Sequence, residues 1–69
     1  MDFNWTEGYS IKVEDRNGQI TICANREGLL SLADQLVALA EGRPGDHVHY
    51  DEYNSLEEGS KELIIEKIG

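Results

Sequence analysis

Apolar and polar positions alternate near the start of the chain. Tyr9, Ile11 and Val13 fall on one side and Ser10, Lys12 and Glu14 on the other, the period of a half-buried strand. The same period returns from Gln19 to Ala24, with Ile20, Ile22 and Ala24 opposite Gln19, Thr21 and Cys23. Between the two lies Asn17-Gly18, the strongest short hairpin signal, because a two-residue type I′ turn needs positive φ at both positions. Centring the loop there pairs Val13 with Ile22 and Ile11 with Ala24, which gathers the apolar residues of both strands on one face.

The period then changes. Leu29, Leu32, Ala33, Leu36 and Ala40 recur at helical spacing, and Leu30, Val37 and Leu39 widen the stripe. Asn25 is an apt N-cap, Glu27 complements the positive end of the helix dipole, and Gly42 and Pro44 supply a stop. A third strand is predicted over His47–Glu52, with Val48 and Tyr50 facing away from His47, His49 and Asp51. A fourth is predicted over Glu62–Ile68, whose Leu63-Ile64-Ile65 run suits a central strand or one covered on its far side. Tyr53 to Ser60 is the connecting loop. The order ββαββ predicts an α+β fold, with one amphipathic helix packed on a four-stranded, mainly antiparallel sheet. We read residues 1–69 as a single domain whose residues 1–8 form an N-terminal arm.

One helix covers one face of such a sheet. Lys12, Thr21, Cys23, His47 and His49 alternate onto the other face. Either Phe3 and Trp5 of the arm fold over that face or a second chain does, the latter making the protein a structural homodimer or an accessory subunit.

Length and charge narrow the function. A chain of 69 residues has room for one small core, and its formal charge of −8 repels nucleic acid and anionic lipid. An acidic surface suits a basic protein partner, although the same charge also serves solubility alone. Cys23 is the only cysteine, so no disulfide forms within the chain, and a lone thiol without a secretion signal points to a reducing, cytoplasmic setting. The longest apolar-rich stretch, Leu29 to Ala40, is broken by Ser31, Asp34 and Gln35, so no membrane span is expected.

Chemistry finds little purchase. His47-x-His49-x-Asp51 places two imidazoles and a carboxylate on one strand face, with Cys23 as a conceivable fourth ligand. Same-face neighbours stand roughly 7 Å apart along a strand, however, and a metal-binding domain is the lesser reading. Cys23 sits mid-strand with no helix N-terminus to activate it. The carboxylate pairs Asp51-Glu52 and Glu57-Glu58 carry no sign of burial. No catalytic residue, metal or cofactor is therefore assigned, and the chain is read as a non-enzyme. The stretch from Gly45 to Gly59 is more telling: it holds Asp46, Asp51, Glu52, Glu57 and Glu58 without one lysine or arginine, together with Tyr50, Tyr53 and Leu56. Aromatic and apolar anchors within an acidic rim compose a protein-binding surface, the alternative being a solvated loop with Tyr50 in the core.

Two stretches carry a resemblance. Asn25-Arg26-Glu27-Gly28-Leu29 leading into Leu32-Ala33 and Leu36, and His47-Val48-His49-Tyr50-Asp51 followed by Asn54-Ser55-Leu56, Gly59-Ser60 and Glu62-Leu63-Ile64-Ile65-Glu66-Lys67, resemble the immunity protein 32 family of bacterial polymorphic toxin systems. The resemblance implies a small cytoplasmic antidote that binds a cognate toxin domain, in many cases a nuclease. A nuclease is typically basic, and an acidic inhibitor can occupy that basic surface. Position by position the match falls on His47, His49, Asp51, Asn54, Leu56, Gly59 and Ser60. Joined to the acidic and aromatic set, these give the expected partner-binding residues Asp46, His47, His49, Tyr50, Asp51, Glu52, Tyr53, Asn54, Leu56, Glu57 and Glu58. Among the matched positions, Gly59 is suited to positive φ and Asn54 to a side-chain bond with the loop backbone.

Overall fold

The computed structural model describes residues 4–69, so Phe3 lies outside the described residues. Turn chemistry sets the first unit. Asn17 and Gly18 take φ of 55° and 83° and join β1 (Ile11–Arg16) to β2 (Gln19–Ala24) in an antiparallel hairpin. Val13 stands opposite Ile22 and Ile11 opposite Ala24, the expected register.

Helix α1 (Arg26–Ala40) follows at once. The Asn25 side chain accepts from the Gly28 amide at 2.8 Å, satisfying an orphan donor of the first turn, and from the Ser10 amide at 3.0 Å. Its side-chain amide nitrogen donates to the Gly8 carbonyl at 2.9 Å, so one side chain caps the helix and fastens it to the segment that leads into β1. Gly28 allows that approach: a Cβ there would lie 2.5 Å from the Ser10 carbonyl oxygen and 2.9 Å from Ile11 Cγ1. At the other end, Lys67 Nζ donates to the carbonyls of Ala40 at 2.7 Å and Gly42 at 2.8 Å, satisfying acceptors that the last turn leaves open.

The second hairpin pairs β3 (His47–Tyr50) with β4 (Leu63–Glu66), Val48 opposite Ile65 and Tyr50 opposite Leu63. The fold is α+β in the order ββαββ, but the four strands form two separate two-stranded antiparallel sheets, where one sheet was expected. The division has its cause in the connecting segment. The outward carbonyls of Ile11 and Val13 accept from the amides of Glu57 and Lys61, both at 2.8 Å, and the Val13 amide donates to Ser60 Oγ at 3.2 Å. Between those contacts Gly59 has φ of 86°, which turns the chain out of strand geometry. The connecting segment thus stitches the two hairpins together without becoming a strand.

The core holds Ile11, Val13, Leu32, Leu39, Val48, Tyr50 and Leu56, with Trp5, Tyr9, Ala24, Leu63 and Ile65 packed against it. The helix is rotated from its expected setting. Gly28, Ser31, Leu32, Gln35 and Leu39 are buried, whereas Leu29, Leu36 and Val37 are exposed. Partners make burial of the two polar residues affordable: Tyr50 Oη donates to Gln35 Oε1 at 2.7 Å, the Thr6 amide donates to Ser31 Oγ at 2.8 Å, and Ser31 Oγ donates to the Glu27 carbonyl at 2.8 Å. Among the described residues no buried side-chain polar atom lacks a partner. These bonds also place the arm. Trp5 stacks on Tyr9 with centroids 4.4 Å apart and meets Tyr50 edge-on at 6.3 Å, so it joins the core and does not fold over the outer sheet face. Among the described residues no helix is long and apolar enough to cross a membrane.

Candidate functional site

The acidic segment leaves β3 through an Asx turn. Asp51 Oδ1 accepts from the amides of Tyr53 and Asn54, each at 2.9 Å, and the Asp51 carbonyl accepts from those of Ser55 at 3.0 Å and Leu56 at 2.9 Å. Asn54 answers: its Oδ1 accepts from the Asp51 amide at 3.1 Å and its Nδ2 donates to the His49 carbonyl at 3.0 Å. Ser55 Oγ also donates to Asn54 Oδ1. Glu52 Oε2 accepts from the Gly59 amide at 2.8 Å, and Glu57 Oε1 from Ser10 Oγ at 3.1 Å. A loop with these anchors presents its remaining side chains on a fixed frame.

The expected binding residues then sort by position. Tyr50 and Leu56 are buried, Tyr50 to 1% exposure, so they support the segment from beneath and do not offer contact area. Asp51 and Asn54 spend their side chains on the turn. Asp46 is half-buried, its Oδ2 accepting from the Arg43 amide at 2.9 Å. Glu52, Glu57 and Glu58 are exposed, as is Tyr53 at 91%. His47 and His49 are exposed on the outer face of β3, with His49 Nε2 3.5 Å from Glu62 Oε2. His47, His49, Tyr53 and Glu58 therefore form the outward part of the set, with Glu52 and Glu57 exposed but bonded to the Gly59 amide and to Ser10 Oγ. A recess of about 200 Å³, lined by Trp5, Gln35, Val48, His49, Tyr50 and Asn54, opens beside them.

Three members of the outward surface escaped the sequence reading. Glu62 was counted as the start of a strand, yet it lies beyond β4 beside His49. Leu29 and Leu36, expected on the helix stripe that packs on the sheet, are exposed. The signal for the leucines was present in a helical apolar stripe wider than one sheet face can bury.

The metal-like spacing acquires no site. Among the described residues no three His, Cys, Asp or Glu side chains converge in a ligand cluster. Asp51 is committed to backbone amides, and Cys23 belongs to the other hairpin, where Arg16 Nη2 donates to its sulfur at 3.2 Å. Arg16 also donates to Glu14 Oε2 at 2.7 Å, and with Lys12 it holds that carboxyl below the usual carboxylate range. The outer face of the first hairpin is thus laced with charge.

Residues 19–68 match the family model described as Immunity protein 32. No curated protein and no solved structure matches the chain.

Proposed function

The chain belongs to the immunity protein 32 family, and from that membership we propose that it binds a cognate bacterial toxin domain, of a polymorphic toxin system, and neutralises it in the cytoplasm of the producing cell. The carrying observation is the family match over residues 19–68, which includes the whole acidic segment. The protein acts by occupation and not by catalysis. Its contact surface is centred on Tyr53 and Glu58, with Glu52, Glu57, His47 and His49 around them, over a support of Asp46, Tyr50, Asp51, Asn54 and Leu56. An exposed tyrosine on a fixed loop supplies apolar area at low entropic cost, and the surrounding carboxylates steer a basic partner. A nuclease fits that description, because binding nucleic acid requires a basic surface.

The test uses the protein captured at low salt by the tagged chain. Its association rate with wild type is expected to fall steeply as salt rises, and the Glu52→Lys, Glu58→Lys variant is expected to associate at least tenfold more slowly, with a flatter salt dependence. An unchanged rate with the variant would remove this surface from the mechanism.

A further inference from the structure

The two long edges of the first hairpin are treated differently. In a hairpin closed by a two-residue turn, Arg16 and Gln19 form the first hydrogen-bonded pair, so the backbone groups of Ile11, Val13 and Asp15 on β1 and of Ile20, Ile22 and Ala24 on β2 point outward. On β1 the segment 57–61 meets those of Ile11 and Val13. On β2, among the described residues, nothing does. That edge reads Gln19-Ile20-Thr21-Ile22-Cys23-Ala24, without a charge, a proline or a bulge, the devices by which natural sheets protect an edge. Its side chains add to the exposure: Ile20 is 62% and Ile22 42% accessible, although both lie on the face of the hairpin that carries Ile11 and Val13. Leu29 and Leu36, on the flank of α1 turned away from Ser31 and Gln35, are exposed as well.

Charge selects the occupant. The hairpin, residues 11–24, carries Lys12 and Arg16 against Glu14 and Asp15 and is neutral, whereas residues 27–69 carry ten acidic side chains against three basic. The acidity of the chain therefore lies outside this hairpin, and the acidic segment runs along the opposite edge, on β1. A basic partner is drawn to that side. An uncharged strand in a neutral hairpin is where a second copy of this acidic chain meets the least repulsion.

We propose that the protein forms a two-fold dimer through antiparallel pairing of β2 with β2, Ile22 opposite Ile22 and Ile20 of one copy opposite Ala24 of the other. The pairing fuses two hairpins into one four-stranded sheet, covers the isoleucines between the two helices and leaves both acidic loops at the far ends. The proposal does not depend on the toxin-binding reading, and its test involves no toxin.

The test is sedimentation equilibrium of the full chain across a wide concentration range, with amide exchange followed by NMR. A mass rising to twice 7.8 kDa is expected, accompanied by at least tenfold slower exchange of the Ile20 and Ile22 amides as concentration rises. Ile22→Lys, at an exposed position, is expected to keep the wild-type circular dichroism and remain monomeric; Thr21→Val, facing the other way, is expected to dimerise like wild type. A wild-type chain that stays monomeric throughout would overturn the proposal, and so would a dimer that survives Ile22→Lys or leaves both amides fast.

Discussion

At the residue scale the fold turns on a few positions whose chemistry is easily misread. Gln35 interrupts the apolar stripe of the helix, yet it is among the most buried side chains and accepts from Tyr50. Nothing local in the sequence distinguishes it from a solvated glutamine, since its partner is fifteen positions away. Replacing Tyr50 by Phe leaves Gln35 Oε1 unpaired and is expected to cost about 1–3 kcal/mol in denaturant unfolding. The same variant changes the alkaline limit. Burial pushes the Tyr50 phenol above its ordinary value of 10.0. Stability from the neutral phenol is therefore full below that value and is lost as pH rises through the higher folded value. Wild type should show this alkaline loss in its unfolding midpoint, and Tyr50→Phe should lack that component. Gly28 gives a test of opposite sign to propensity. Alanine in a helix interior normally gains up to about 1 kcal/mol over glycine. Here its Cβ would meet the Ser10 carbonyl and Ile11, so Gly28→Ala is expected to destabilise by about 1–3 kcal/mol, read from chemical denaturation.

At the scale of elements, what was legible is what is local. The hairpin turn, its register and the N-cap at Asn25 follow from neighbouring residues and stand in the structure as the sequence predicts. The setting of the helix and the division of the sheet do not, because both depend on contacts between distant segments. Leu29 and Leu36 lose the core to Leu32 and Leu39 once Gln35 and Ser31 find partners, and a four-stranded sheet yields to two pairs because residues 57–61 take the edge of β1. The candidate site was legible as a composition and not as a geometry: the acidic stretch is where the sequence places it, but Tyr50 and Leu56 point inward and Asp51 and Asn54 serve the turn. Asn54→Ala removes bonds to both Asp51 and His49. It should cost about 1–3 kcal/mol and, in amide exchange, strip protection from Glu57 and Lys61 before the hairpin of β1 and β2 is affected.

At the scale of the whole molecule, charge is segregated. A neutral first hairpin stands on one side, and the acidic loop with its exposed tyrosine lies along the outer edge of β1. The two proposals place the basic partner and the second copy on different sides of the molecule, so removing the second is not expected to abolish binding of the first. Ile22→Lys should retain at least half of the wild-type affinity for the captured partner in calorimetry. The central claim concerns neutralisation itself, and survival of cells expressing the captured toxin domain, with and without this chain, tests it most directly. Wild type is expected to restore growth, and a Tyr53→Ala, Glu58→Lys variant with unchanged circular dichroism is expected to fail. Cells that die despite the wild-type chain would contradict the account, and full protection by the double variant would contradict the surface assigned to it.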